Sequence, residues 1–254
     1  MTKIIQISDM HLMAEARERY RGIDVEARLQ AVVEHLRKHH GDATLLLLTG
    51  DLVHQGGLES YRRIDALLAK LNIPWYWIPG NHDCAEAMTA LWGRITRKLQ
   101  LQGWLLTLLD STSDSDGRGS GSLADSELDF LRQQLQVDAN HLLVLHHNPI
   151  AVDSQWQQAI SLGNAQEFNQ ILANSSRQGA VIFGHLHQHW DIQSGHWRML
   201  ACPSSAVQFR KYCEHFEVET LGLESWPGYR WLTLFADGKL DTGVERCDPN
   251  QLTE

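Results

Sequence analysis

The sequence predicts an α/β domain whose first two thirds alternate buried strands with amphipathic helices, and whose last third turns to antiparallel β structure. Two patterns carry this expectation. Apolar runs of strand length are separated by segments with helical spacing, and that spacing fades beyond His187. A third observation bears on function: polar residues of ligand type stand at the C-terminal ends of five strands in succession.

Taken in order, residues 3–7 (Lys-Ile-Ile-Gln-Ile) read as a buried strand. Val25, Leu29, Val32, Val33 and Leu36 follow at helical spacing, with Asp24 placed to cap and His39 and His40 near the negative C-terminal end. Residues 44–49 form a second strand, and Leu58, Tyr61, Ile64, Leu68 and Leu71 mark a second helix. Pro74 precedes an aromatic strand at 75–78, and a helix is expected over 85–95. Further strands fall at 104–109, 141–146 and 180–183. Leu128, Leu131 and Leu135 mark one intervening helix, and a later one opens with Asn164 and Glu167 spaced as a capping box. The tail offers β-like runs at 197–201, 214–220 and 229–235, with a hairpin signal at Asp237-Gly238. Residues 111–122 are all Ser, Thr, Asp or Gly except Arg118 and read as a flexible surface loop. One domain over 1–254, with its core at about 4–246, accommodates all of this.

Composition bounds the class. The 254 residues have 43% hydrophobic and 21% charged content, which is globular rather than disordered or fibrous. A net charge of −9 argues against a nonspecific nucleic-acid binder. No apolar run approaches a membrane span, and no signal-peptide core opens the chain. Four irregularly spaced cysteines without a C-x-x-C pair read as reduced thiols, so a cytoplasmic location is expected.

The five strand ends run into Asp9-Met10-His11, Gly50-Asp51, Gly80-Asn81-His82-Asp83, His146-His147 and Gly184-His185-Leu186-His187. Ligands of open α/β sheets bind in the crevice at such ends, so these clusters can converge. Asp9 and His11, like His185 and His187, are two apart and would share one side of an extended segment. Carboxylate, amide and imidazole donors without thiolate suit two ions such as Mn, Fe or Zn. Any one of these motifs alone is an ordinary strand terminus or turn; their joint, ordered occurrence is what points to a site.

As an ordered set these motifs resemble the calcineurin-like metallophosphoesterase signature over residues 4–187. The resemblance implies a four-layer α/β/β/α sandwich with a dinuclear metal centre at the C-terminal ends of the strands. Carried over by motif, Asp9, His11, Asp51 and His187 would hold one metal. Asn81, His146 and His185 would hold the other, with Asp51 bridging. His82 would be the catalytic group facing the phosphate, and His11, Asp51, Asn81, His82 and His187 would contact substrate. Attack by a metal-bridging hydroxide would then cleave the ester.

Substrate follows from what surrounds the motifs. Protein phosphatases of the family resembled carry Asp-Arg-Gly shortly after the bridging Asp, whereas this stretch is Asp51-Leu52-Val53-His54-Gln55-Gly56, without the arginine, which argues against a phosphoprotein. Residues 201–209 (Ala-Cys-Pro-Ser-Ser-Ala-Val-Gln-Phe), 227–230 and 236–238 resemble the bacterial class III cyclic-AMP phosphodiesterases, extending the likeness to about 4–246. That resemblance implies hydrolysis of 3′,5′-cyclic AMP to 5′-AMP with Fe and Mn as metals and Zn as the alternative. The other reading is a broad phosphodiesterase or phosphatase of the same fold, acting on glycerophosphodiesters, 2′,3′-cyclic nucleotides or nucleotide pyrophosphates. Either implies a small-molecule partner, no nucleic-acid polymer or membrane, and a monomer or homodimer. Asn148 departs from the usual His-His-Pro. His147 is read as packed, His189 as solvated, and His54 as a candidate to meet substrate.

Overall fold

The computed structural model describes residues 1–249, so 250–254 of the expected domain lie outside the described residues. The chain begins with β1 (Thr2–Ile7), a small hairpin β2 (Arg19–Tyr20) and β3 (Ile23–Asp24), α1 (Val25–His39) and β4 (Leu45–Thr49). It continues through α2 (Leu58–Leu68), β5 (Trp75–Ile78), α3 (Ala85–Trp92), β6 (Lys98–Leu101), β7 (Trp104–Leu108), α4 (Asp125–Gln134) and β8 (Asn140–Val144). The short α5 (Gln155–Gln158), α6 (Ala165–Asn174), β9 (Gly179–Phe183), β10 (Trp190–Ser194), β11 (Trp197–Ala201), β12 (Gly228–Leu234) and β13 (Leu240–Arg246) complete it.

Two sheets form, in the orders β13-β12-β1-β4-β5 and β10-β11-β9-β8-β7-β6. Within each sheet the strands that carry the polar clusters run parallel to one another, with β1 also bordered by the antiparallel β12. Antiparallel strands extend the sheets outward at β12–β13, β10 and β6.

The two-residue side-chain period sorts the apolar residues into layers. Ile4, Leu45 and Leu47 face Leu142, Val144 and Ile182 between the sheets. Ile5, Ile7, Leu46 and Leu48 point the other way, against Leu29, Val32, Leu36, Tyr61 and Ile64 of α1 and α2. On the far side Leu143, Val181 and Phe183 pack under Leu128, Leu131, Phe168 and Leu172 of α4 and α6. The result is the expected α/β/β/α sandwich. Strands covered on both faces have no solvent side, which is why they read as unbroken apolar runs.

Local details meet the expectations unevenly. Asp24 caps α1 by accepting from the Ala27 N–H at 2.9 Å. The β12–β13 hairpin closes at Gly238, whose φ is 89°. By contrast α3 stops at Trp92, because Gly93 takes φ 80° and ends the helix before Ile95. The capping box at 164–167 does not form. The Asn164 amide is engaged by the Leu123 main chain at 2.8 and 3.0 Å, and Glu167 is drawn to Arg132. Residues 214–220 are not a strand; only an isolated bridge joins Phe209 to Val218. The 111–122 segment is tied down rather than loose: Ser113 bridges Ser122, and Gly121 pairs with Leu162. The edge strands β6 and β10 escape the sequence pattern because their residues are only partly buried and alternate weakly.

Candidate metal centre

All five polar clusters meet at one end of the sandwich. Ligand atoms of Asp9, His11, Asp51 and His187 lie within 4.8 Å of one another, and so do those of His146, His147 and His185. Asp51 joins the two sets. Its Oδ2 is 3.6 Å from His11 Nε2 and 3.4 Å from His146 Nε2. Asn81 completes the second set, with Oδ1 3.2 Å from His146 Nε2.

The convergence of Asp9 with His11, and of His185 with His187, does not come from extended backbone. Each of the four has a left-handed φ, between 47° and 69°, and Asp51 joins them at 51°. Such conformations cost about 1–3 kcal/mol each for non-glycine residues and persist where the surroundings over-determine them. They also send the two histidines of the last motif apart. His185 Nδ1 is 3.2 Å from His146 Nε2, whereas His187 Nε2 is 3.0 Å from His11 Nε2. Gly50 and Gly80 keep this centre open. A β-carbon on Gly80 would collide with the Asp51 carboxylate, and one on Gly50 would lie 2.8 Å from the Gly80 backbone.

Backbone carbonyls fix the tautomers. His146 Nδ1 donates to Thr49 O at 2.8 Å, His187 Nδ1 to Val207 O at 2.6 Å and His185 Nε2 to Ile160 O at 2.9 Å. His187 Nε2 and His185 Nδ1 are thereby left as acceptors, turned toward His11 Nε2 and His146 Nε2. Imidazole nitrogens, carboxylates and an amide oxygen gathered this closely are the donor types that two cations take. The donor set thus fits a dinuclear centre. His147 stands apart despite its proximity: its Nδ1 meets Ser111 Oγ at 2.8 Å and its Nε2 donates to Gly119 O at 3.2 Å. Both nitrogens are occupied in holding the 111–122 segment, so its reading as a packed residue stands.

Burial dominates the electrostatics of the bare site. It raises Asp9, and it drives His11 and His185 well below the ordinary histidine range and His187 to about 3. Burial would lower His146 too, but the Asp51 carboxylate outweighs it and carries this imidazole to about 9. Three of the four imidazole ligands are therefore held neutral, the state that binds metal. His82 lies at the cavity side, its backbone N–H on Asp51 Oδ1 at 2.9 Å and its ring 5.1 Å from that of His11. His54 packs beside His82 and Tyr20 at 4.5 and 4.4 Å. His189 lies outside the cluster, facing Glu224.

Several residues of the quoted motifs have supporting roles that the sequence does not reveal. Asp83, last of the Gly-Asn-His-Asp run, accepts from the Leu52, Val53 and Gly80 N–H groups and from the Tyr61 hydroxyl at 2.9–3.2 Å. It ties the Asp51 loop to the Asn81 loop. Ser204 Oγ donates to Asp9 O at 2.7 Å and Ser205 Oγ to Ser8 O at 3.2 Å, so the 201–209 motif braces the first metal loop from behind. Apart from the Asp83–Gly80 contact, these bonds reach groups far away in sequence, so spacing carries no signal of them.

A sandwich with this site defines a dinuclear phosphoesterase architecture, and the sequence agrees. The calcineurin-like phosphoesterase family model matches residues 2–189, and the chain belongs to that family. It is 37% identical to the 3′,5′-cyclic adenosine monophosphate phosphodiesterase CpdA of Pseudomonas aeruginosa, covering 96% of this chain and 90% of that protein. Identity is 36% to CpdA of Escherichia coli K12, covering 96% and 89%. It is 35% to a 3′,5′-cyclic-nucleotide phosphodiesterase of Nostoc, covering 96% and 91%. Among solved structures, a dimetal phosphatase from Danio rerio superposes with a TM-score of 0.70 at 12% identity, covering 97% of this chain and 99% of that one. That likeness speaks for the fold alone.

Proposed function

We propose that this protein hydrolyses 3′,5′-cyclic AMP to 5′-AMP. The observation that carries the reading is the 35–37% identity to cyclic-nucleotide phosphodiesterases over 96% of the chain, which reaches past the metal motifs into the C-terminal strands. Asp9, His11, Asp51 and His187 would hold one ion and Asn81, His146 and His185 the other, with Asp51 between them. The carbonyl-held imidazoles of His146, His185 and His187 support that division. When bound, two cations would lower the pKa of coordinated water and offset charge developing on the phosphoryl oxygens. Fe and Mn, or Zn, suit the mixed oxygen and nitrogen donors.

The chain's own contribution is placement. Asn81 and His82 follow one another on the loop after β5, so the Asn81 amide and the His82 imidazole flank the same phosphate. His11 and His187 border it from the opposite side, and Asp51 lies beneath. As water oxygen bonds to phosphorus and the bond to O3′ breaks, the His82 imidazole supplies the proton that O3′ takes up. Buried Leu12 and Leu52, with the rest of the core below, limit water to the open face of the site.

The acidic net charge and the four unpaired cysteines support a cytoplasmic enzyme that does not bind a nucleic-acid polymer; a small-molecule partner, no membrane and a monomer or homodimer complete the reading. Among the described residues no helix is long and apolar enough to cross a membrane. The test is steady-state turnover of 3′,5′-cyclic AMP, cyclic GMP, a glycerophosphodiester and bis(p-nitrophenyl) phosphate by protein of measured metal content. The expected result is a higher kcat/KM for cyclic AMP than for any other. Equal or lower values would replace this reading with the broad phosphodiesterase.

A further inference from the structure

Six side chains close a ring around the cavity above the metal cluster. His11 and His187 have centroids 4.8 Å apart, and His187 stacks on Phe209 at 3.8 Å and 11°. Phe209 meets Phe216 at 5.0 Å. The Arg21 guanidinium lies 4.7 Å from the Phe216 centroid and 5.5 Å from that of Tyr20, and Tyr20 stacks back on His11 at 4.9 Å and 14°. Behind the outer pair, Trp156 meets Phe209 and Phe216 at 5.3 and 5.2 Å. These residues line one cavity of about 230 Å³.

That volume falls below the roughly 300 Å³ at which pockets enclose a small organic ligand. In a 3′,5′-cyclic nucleotide the phosphate is fused to the ribose, so placing phosphorus at the metals fills the floor with that bicycle. The base is left at the rim. There Phe216 is 41% exposed, yet Trp156 and Phe209 pack it at 71° and 69° and fix its plane. One face of its ring is covered by Arg21, an exposed residue that lines the same cavity and also lies against Tyr20. An exposed cation–π contact is weaker than the stack of a base on an aromatic ring, so exchange of one for the other is favourable.

We propose that Phe216, braced by Trp156 and Phe209, is the base-stacking platform of this site, and that a purine takes the place of Arg21 on its face. The inference rests on the cyclic-nucleotide reading above and names where that substrate's base is held.

The experiment uses the metal-loaded full chain turning over bis(p-nitrophenyl) phosphate, with 5′-AMP and inorganic phosphate as competing inhibitors. In Phe216→Ala the inhibition constant of 5′-AMP should rise about tenfold or more, from loss of one base stack. That of phosphate should move less than twofold, and Phe216→Trp should restore 5′-AMP. Arg21→Ala, which uncovers the ring, should leave 5′-AMP binding equal or tighter. Equal shifts for both inhibitors in Phe216→Ala, no shift for 5′-AMP, or a large loss in Arg21→Ala would each overturn the proposal. A wild-type enzyme that binds 5′-AMP through Phe216 but does not prefer cyclic AMP would refute the substrate reading and leave the platform standing.

Discussion

His11 Nε2 and His187 Nε2 lie 3.0 Å apart although 176 positions separate them in the chain. His187 Nδ1 donates to Val207 O, so its Nε2 faces His11 as a bare lone pair. A cation bound there would take up this lone pair, and a second would do the same for His185 Nδ1 beside His146.

Metal should therefore stabilise the fold as well as activate it. At a free ion concentration about a hundredfold above Kd, linkage gives about 2.7 kcal/mol, or a Tm rise of about 5–10 °C. Differential scanning fluorimetry of chelator-treated protein with and without added Mn checks this. His187→Ala should lose most of the increment; a Tm indifferent to metal in the wild type would refute the coordination assigned.

His82→Ala separates coordination from chemistry. Because His82 is assigned to the phosphate and not to either ion, the variant should keep both metals in elemental analysis. Its kcat should fall by about a hundredfold to ten-thousandfold, the range for loss of a general acid. Loss of an ion would show that His82 is a ligand instead.

Asp83→Asn tests the brace beneath the site. The carboxylate is partly buried, and desolvation raises it to about 6 while three backbone N–H groups and the Tyr61 hydroxyl hold it. An amide retains the shape but turns one acceptor into a donor facing N–H groups. Metal affinity should drop about 10- to 100-fold, as for other groups that orient ligands. Titration of apo protein with Mn is the measurement, and an unchanged affinity would remove Asp83 from the support of the site.

The metal-free protein should be most stable near pH 6.5, with stability lost on both sides. Burial holds His187 and His147 at about 3 and His54 at about 4 when folded. In the unfolded chain they titrate near 6.5. The unfolded state then binds more protons as pH falls below 6.5, and stability drops progressively toward pH 4. His146 acts in the opposite direction. Carried to about 9 by Asp51 against its burial, it contributes stability that is complete below 6.5 and lost as pH rises through 9. Urea midpoints at pH 5, 7.5 and 9.5 in chelator would expose both limbs; a midpoint that climbs on acidification would contradict the neutral-histidine cluster.

The ligand-type residues were legible because each follows directly on an apolar run, and a strand buried on both faces writes that run into local sequence. Ile4 to Leu48 alternate between the two core layers by the strand period alone, so strand placement and layering needed no distant information. The tertiary structure decided the rest. It set His185 beside His146 and His187 beside His11, the division that the resemblance implies, through left-handed backbone at both histidines that an extended reading of the motif does not contain. It set the tautomers through Thr49, Val207 and Ile160, and it converted the low-complexity 111–122 segment into a wall held by His147. It also brought Phe209 and Phe216 from irregular chain to the rim. All of these depend on contacts between residues far apart in sequence, where no periodicity or spacing records the partner.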